Sequence, residues 1–161
     1  MGYTMRSSSF LTAIATSLLL AACSSGPVKR VSPPAASIQQ ITVQADGQWE
    51  VLLRLQNFSS MAMTFSAASL RLDSGTTTAL TIDQIPSHTV GPESAEVVPL
   101  TLQPTAEGRQ LAAGTLADGR SLPYHLSGTL QAAPDERRPR PYPIDLRSTL
   151  HPAPGLPGVL R

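Results

Sequence analysis

The chain has 161 residues, a length that fits one domain. Its 12 Lys and Arg residues nearly balance 11 Asp and Glu residues, and the formal net charge of +1 argues against a nucleic-acid binder held by general electrostatics. One Cys excludes internal disulfides, and with only three His residues it argues against a Cys/His zinc site. We therefore expect no bound metal, cofactor or nucleic acid.

Residues 1–22 have the pattern of a secretory signal peptide. Arg6 supplies a positive charge, and an apolar run over residues 10–20 follows it. This run is shorter than the roughly 20 apolar residues that a transmembrane helix needs. Either Met1 or Met5 fits as the first residue of the signal.

The signal ends in Leu20-Ala21-Ala22-Cys23, which resembles a bacterial lipobox. The resemblance implies transfer of a diacylglyceryl group to the Cys23 sulfur, cleavage before Cys23 and acylation of the new amine. Two or three acyl chains hold a protein durably on a bilayer. Ser24 stands where an Asp would favour the inner membrane, so by analogy we expect the outer membrane, with the protein facing the periplasm. The alternative, an ordinary buried Cys, does not explain why this residue closes a signal sequence.

Residues 23–36 are small, polar and rich in Pro, and we predict that they form a flexible tether between lipid and domain. Lys29 and Arg30 lie in this stretch. They are interpreted either as contacts to anionic lipid head groups or as solvated charges.

Residues 37–131 form the predicted domain, because short alternating apolar runs there are separated by turn residues. The clearest strand is predicted over residues 48–57, and its apolar side chains share one face: Trp49, Val51, Leu53 and Leu55. Asp46-Gly47 before it indicates a hairpin. Further strands are predicted over residues 38–43, 61–65, 70–72, 79–82, 97–102 and 122–130. Only residues 106–115 have helical character, so we expect an all-β sandwich of about seven strands with at most one short helix.

Residues 132–161 form a separate tail in this interpretation. Seven Pro occur among the 28 residues from position 134 onward, without an apolar period. Proline lacks a backbone donor and fixes φ, so we predict an extended, disordered Pro/Arg-rich tail. Its net positive charge fits either a weak, salt-sensitive envelope contact or a simple extension.

Three stretches resemble the LEA type 2 domain, also called the water-stress and hypersensitive-response domain, over about residues 37–131. The first, residues 49–60, is a strand that ends at Asn57, although Phe58 and Ser59 stand where the family has Pro and a second Asn. The second, residues 85–102, is a turn followed by a Val-rich strand. The third, residues 122–130, resembles the closing strand of the family.

The resemblance implies a small sandwich like immunoglobulin and fibronectin type III domains, without catalytic residues. Three motif residues have structural explanations. Asn57 ends a strand where its side chain can bond nearby backbone in a tight turn. Tyr124 offers an apolar ring and a hydroxyl that needs a partner when buried. Gly128 inside a strand indicates a bulge or a close backbone approach.

The remaining residues give no enzyme signature. His88, which we place in a turn, His125, which we place opposite Tyr124 on the solvent side, and His151 lie far apart, without acidic residues at ligand spacing. Met61 and Met63 alternate in a strand and are interpreted as core rather than as copper ligands.

These patterns predict a non-enzymatic envelope lipoprotein that stabilises or binds envelope components under stress. Its expected partners are the membrane, through acyl chains on Cys23, and an envelope protein or the cell wall. The alternative is a carrier of a small ligand or lipid between the two sheets. That alternative needs an under-filled core, which small residues would leave: Ala62, Ala67, Ala68 and Ala79.

Overall fold

The computed structural model describes residues 29–135 and 137–161. Over these residues the chain forms nine strands and one helix. In chain order they are β1 (Ala35–Val43), β2 (Trp49–Gln56), β3 (Met63–Ser74), β4 (Thr77–Ile82), β5 (His88–Val90), β6 (Ala95–Leu102), α1 (Ala106–Asp118), β7 (Leu122–Pro134), β8 (Arg140–Leu150) and β9 (Val159–Leu160).

The strands form two antiparallel sheets packed face to face. The first sheet has the order β6-β2-β1-β9. The second has the order β4-β3-β7-β8, with β5 pairing with β3. The predicted all-β sandwich with one short helix is therefore confirmed. In the described part of the chain, no helix is long and apolar enough to cross a membrane.

The predicted alternation in β2 is confirmed. Its four apolar side chains have no exposed surface: Trp49, Val51, Leu53 and Leu55. The β1–β2 hairpin turns at Asp46-Gly47, as its sequence predicts, and Gly47 adopts a φ of 84° that favours glycine. These side chains from the first sheet face apolar side chains from the second and form one core.

One long strand, β3, replaces two predicted short ones. Its apolar residues change parity along the strand, because Met63 and Phe65 are buried at odd positions and Ala68 and Leu70 at even positions. The register against β7 shifts between Phe65 and Ala67, which marks a bulge. The extra residue keeps both halves of the strand facing the core, and it interrupts the period of two that the sequence pattern relies on.

Helix α1 packs against β4, and small residues allow this close contact. The Thr105 side chain caps the helix by accepting a hydrogen bond from the Gly108 backbone N–H (2.9 Å). A Cβ at Gly108 would overlap the Ala79 carbonyl oxygen. Position 108 therefore has no side chain because the helix backbone lies directly against the β4 backbone at Ala79.

The predicted disorder of residues 132–161 is wrong. The tail completes β7, forms β8 and ends in β9, which pairs with β1. Several of its apolar side chains are buried: Tyr142, Ile144, Leu150, Val159 and Leu160. Between β8 and β9 the chain crosses from the second sheet to the first, and His151 and Arg161 exchange two backbone hydrogen bonds (2.7 and 2.8 Å).

The prolines of this tail do not prevent strand formation, because β8 is an edge strand. It pairs only with β7 in its sheet. Pro141 and Pro143 alternate, so their nitrogens lie along the same side of β8, and an edge strand has one side on which no donor is needed. The tail thus supplies two strands that the sequence analysis does not predict, β8 and β9.

The prediction of a flexible tether over residues 23–36 is also wrong for the part of it that the structure describes, residues 29–36. Residues 23–28 lie outside the described part, as does the signal over residues 1–22. Residues 30–32 hydrogen-bond to the loop after β2, and Ala35 and Ala36 belong to β1. The domain therefore extends beyond the predicted limits of 37–131 at both ends.

Candidate functional site

Asn57 organises one end of the sandwich. Its side chain has no exposed surface, and its Nδ2 donates to the carbonyl oxygens of Met61 (2.8 Å), Val90 (3.2 Å) and Gly91 (2.8 Å). Its Oδ1 accepts from the Ser59 backbone N–H (2.9 Å). This single amide joins the loop after β2 to the loop after β5, where the sequence alone indicates only a local turn. We call the loop at 57–60 the Asn57 turn.

The Asn57 turn also holds the segment that precedes β1. The Ser32 backbone N–H donates to the buried Ser59 Oγ (3.0 Å), which in turn donates to the Ser32 carbonyl (3.2 Å). The Arg30 backbone N–H donates to Ser60 Oγ (2.8 Å), and the Ser60 backbone N–H donates to the Arg30 carbonyl (3.0 Å). These paired contacts hold residues 30–32 against the domain.

An exposed ion pair closes this arrangement. Arg30 Nη2 lies 2.9 Å from Glu93 Oε1 and also donates to the Phe58 carbonyl (3.3 Å). Both charged side chains are more than half exposed, so the pair contributes only about 0–1 kcal/mol to stability.

The β7–β8 loop reaches the same end of the molecule. The Asp135 backbone N–H donates to the Ala62 carbonyl (3.0 Å), and Pro134 lies opposite Met63 in the sheet. We call this end the tether end and define it in sequence by residues 29–34, 57–62, 91–94 and 134–140, of which the structure describes all but residue 136.

Tyr124 joins the two sheets in the interior. Its hydroxyl accepts a hydrogen bond from the Ile38 backbone N–H (3.2 Å) and donates to the Ile38 carbonyl (3.4 Å). The β1–β2 register shifts between Ile38 and Gln40. At this irregular point of β1, the backbone groups of Ile38 therefore find hydrogen-bond partners on a side chain of the opposite sheet.

Gly128 lies where two strands approach closely. Its φ is 138°, and a Cβ there would overlap the Ser69 carbonyl oxygen of β3. The close backbone approach that the sequence indicates is thus the contact between β7 and β3.

Two of the three histidines, His88 and His125, form separate pairs with acidic residues. His88 lies in β5 rather than in a turn, and its Nε2 is 2.6 Å from Glu96 Oε2. His125 Nε2 is 2.8 Å from Asp145 Oδ1 on the neighbouring strand. Among the described residues, no group of three or more His, Cys, Asp or Glu side chains is arranged to hold a metal ion. Met61 and Met63 are buried.

Sequence reasoning identifies Asn57 but not its partners. Arg30 and Glu93 are 63 residues apart, and neither carries a local signal that would link them. The pair Ser59-Ser60 directly after the strand end is the one available hint, because hydroxyl side chains commonly bond backbone groups in turns.

The comparisons with known proteins are weak. No family model matches the sequence, and no curated protein matches it. The similar solved structures include a protein assigned to the late embryogenesis abundant (LEA) class, at 16% identity and a TM-score of 0.46, covering 91% of this chain and 84% of that one. They also include the ApaA protein of Bordetella pertussis, at 12% identity and a TM-score of 0.47, covering 81% of this chain and 100% of that one.

A protein from Archaeoglobus fulgidus is similar at 13% identity and a TM-score of 0.45, covering 77% of this chain and 98% of that one. At these identities and TM-scores the likenesses assign neither a family nor a function to this chain.

Proposed function

We propose that the protein is a non-enzymatic lipoprotein of the bacterial envelope, an LEA type 2-like β-sandwich that is carried on acyl chains at Cys23. In this proposal it faces the periplasm from the outer membrane and stabilises or binds envelope components under stress. The support for the anchor is the order of elements in the sequence: a positive charge, an apolar run, small residues and Cys23.

The observation that carries the proposal is the attachment of residues 30–32 to the Asn57 turn. The segment that leads to Cys23 is bonded to the domain through two pairs of hydrogen bonds, involving Ser32 with Ser59 and Arg30 with Ser60. A lipid on Cys23 would therefore hold this end of the domain close to the bilayer, as suits a module that acts at a membrane.

The alternative of a carrier between the sheets receives no support from the core. Trp49 and Phe65 are among the large side chains that have no exposed surface in the space between the sheets. Of the small residues that suggested a cavity, Ala67 is exposed and Ala79 contacts the helix. The exposed Ala67 therefore lines no space between the sheets.

We expect the Cys23→Ala variant to lose its fatty acid and to keep its signal peptide, because the thiol is the nucleophile that accepts the lipid. The measurement is incorporation of labelled palmitate in the native host, together with the size of the protein on a gel. The Ser24→Ala variant, changed at the next residue, is the matched control and should be labelled and processed normally. Equal labelling and equal size of the Cys23→Ala variant and the unchanged protein would show that the anchor is elsewhere.

A further inference from the structure

Charge is distributed unevenly between the tether end and the rest of the domain. In sequence, the stretches of the tether end contain five basic residues: Lys29, Arg30, Arg137, Arg138 and Arg140. They contain three acidic residues: Glu93, Asp135 and Glu136. The formal net charge of this end is therefore +2, whereas the other residues between 29 and 161 sum to −2. The end that leads to Cys23 is thus the end suited to an anionic surface.

An aromatic side chain projects from the same end. Phe58 is 42% exposed, while its neighbours Asn57 and Ser59 are fully buried. Because the Asn57 turn is held by hydrogen bonds on both sides of Phe58, the ring is presented to solvent from a fixed backbone. A large apolar side chain next to basic groups is typical of surfaces that enter the boundary between lipid head groups and acyl chains.

Chain length places this end next to the bilayer. Lys29 is six residues beyond Cys23. A fully extended chain spans at most about 3.6 Å per residue, so Lys29 lies within roughly 20 Å of a lipid attached at Cys23. The β1–β2 hairpin is at the opposite end of β1, so the segment from Cys23 joins the domain at the tether end.

We propose that the tether end docks on anionic phospholipid head groups of the membrane that holds the acyl chains. Phe58 enters the head-group boundary, and Arg137, Arg138 and Arg140 lie against the phosphates. Arg140 is already oriented, because its Nε donates to the Tyr142 hydroxyl (2.6 Å) and its guanidinium carbon lies 5.0 Å from the centre of that ring. This inference rests on the proposed function, since the lipid brings the surface to the membrane.

The test uses the lipidated mature protein in vesicles that contain brominated phosphatidylcholine, which quenches tryptophan at the depth of the acyl chains. One set of vesicles also contains phosphatidylglycerol. Tryptophan is introduced by Phe58→Trp or, as a matched control, by Leu156→Trp. Leu156 is 49% exposed and lies in the loop that contacts Val43, at the end opposite the Asn57 turn. The native Trp49 is fully buried and supplies a constant background.

We expect strong quenching for Phe58→Trp in phosphatidylglycerol vesicles and little for Leu156→Trp. Each basic residue near an anionic surface strengthens binding by about fivefold, and this contribution is screened by salt. Replacing Arg137, Arg138 and Arg140 together by Gln should therefore reduce the quenching to the level in vesicles without phosphatidylglycerol. The same change at the exposed Arg71, Arg120 and Arg147 should leave it intact.

Equal quenching at positions 58 and 156 would overturn the proposal, because the domain would then have no preferred end toward the bilayer. Quenching at position 58 that is unchanged by phosphatidylglycerol, salt and the three Arg substitutions would also overturn it. The mass of the same preparation reports separately on the lipid. If Cys23 carries no lipid, the proposed function fails. Docking can still be tested by adding the unlipidated chain from solution to phosphatidylglycerol vesicles and comparing the quenching of tryptophan at positions 58 and 156.

Discussion

Truncation of the chain after Ala133 is expected to abolish cooperative folding of the domain. Among the buried side chains that the deletion removes, five are large and apolar: Tyr142, Ile144, Leu150, Val159 and Leu160. Burial of one such side chain stabilises a fold by about 1.5–3 kcal/mol, so the loss is on the order of 10 kcal/mol. That is comparable to the whole stability of a typical domain, about 5–15 kcal/mol. The truncation also exposes the unpaired edge of β7. Circular dichroism during thermal unfolding of the mature chain measures the effect.

Two single substitutions keep this prediction testable if the truncated chain fails to accumulate. Leu160 has no exposed surface and Leu156 is 49% exposed. We expect Leu160→Ser to lower the free energy of unfolding by at least about 2 kcal/mol. Leu156→Ser, at a surface position of the same segment, should change it by less than about 0.5 kcal/mol. A truncated chain that unfolds within a few degrees of the complete one would restore the interpretation of this segment as a disordered extension.

Asn57→Asp is expected to destabilise the domain by at least about 3 kcal/mol, because an uncompensated charge would be buried. The side-chain amide now donates to three backbone carbonyl oxygens, those of Met61, Val90 and Gly91. An aspartate in that place presents a negatively charged oxygen to these acceptors and leaves them without a donor. The free energy of unfolding in denaturant at neutral pH measures the effect.

The matched control is Gln56→Glu, the same chemical change one residue earlier. Gln56 is only half-buried and ends β2. We expect a change of less than about 0.5 kcal/mol there. Similar free energies of unfolding for the two variants would mean that the Asn57 amide does not hold the tether end together.

The regular parts of the fold could be predicted from the sequence because their signals are local. Alternation defines β2, Asp46-Gly47 defines the first hairpin, and the stretch after Thr105 forms the helix. The bulge in β3 could not be predicted in the same way. It breaks the period of two, so that one strand resembles two short ones with a loop between them.

Composition predicts the wrong structure for residues 132–161 because it does not show whether a strand lies at the edge or in the centre of a sheet. Prolines at positions 141 and 143 argue against a central strand but not against an edge strand such as β8. Pro99 in β6, at an edge of the first sheet, has the same explanation. Prolines at sheet edges also limit pairing between molecules, so this composition suits the fold.

At the tether end, contacts between residues that are far apart in the sequence could not be predicted either. The sequence indicates that Asn57 bonds nearby backbone, and one of its acceptors, Met61, is only four residues away. Its other acceptors, Val90 at the end of β5 and Gly91 directly after it, come more than 30 residues later. The contacts of Arg30 and Ser32 depend in the same way on the completed fold, because they need the Asn57 turn to exist first.

Mass spectrometry of the protein purified from membranes of its native host tests most directly whether a lipid on Cys23 carries the domain. We expect an N-terminal peptide that begins at Cys23 and has the added mass of a diacylglyceryl group. An N-terminal peptide that begins at Met1 or Met5, or a Cys23 without added mass in a chain recovered from the membrane, would contradict it.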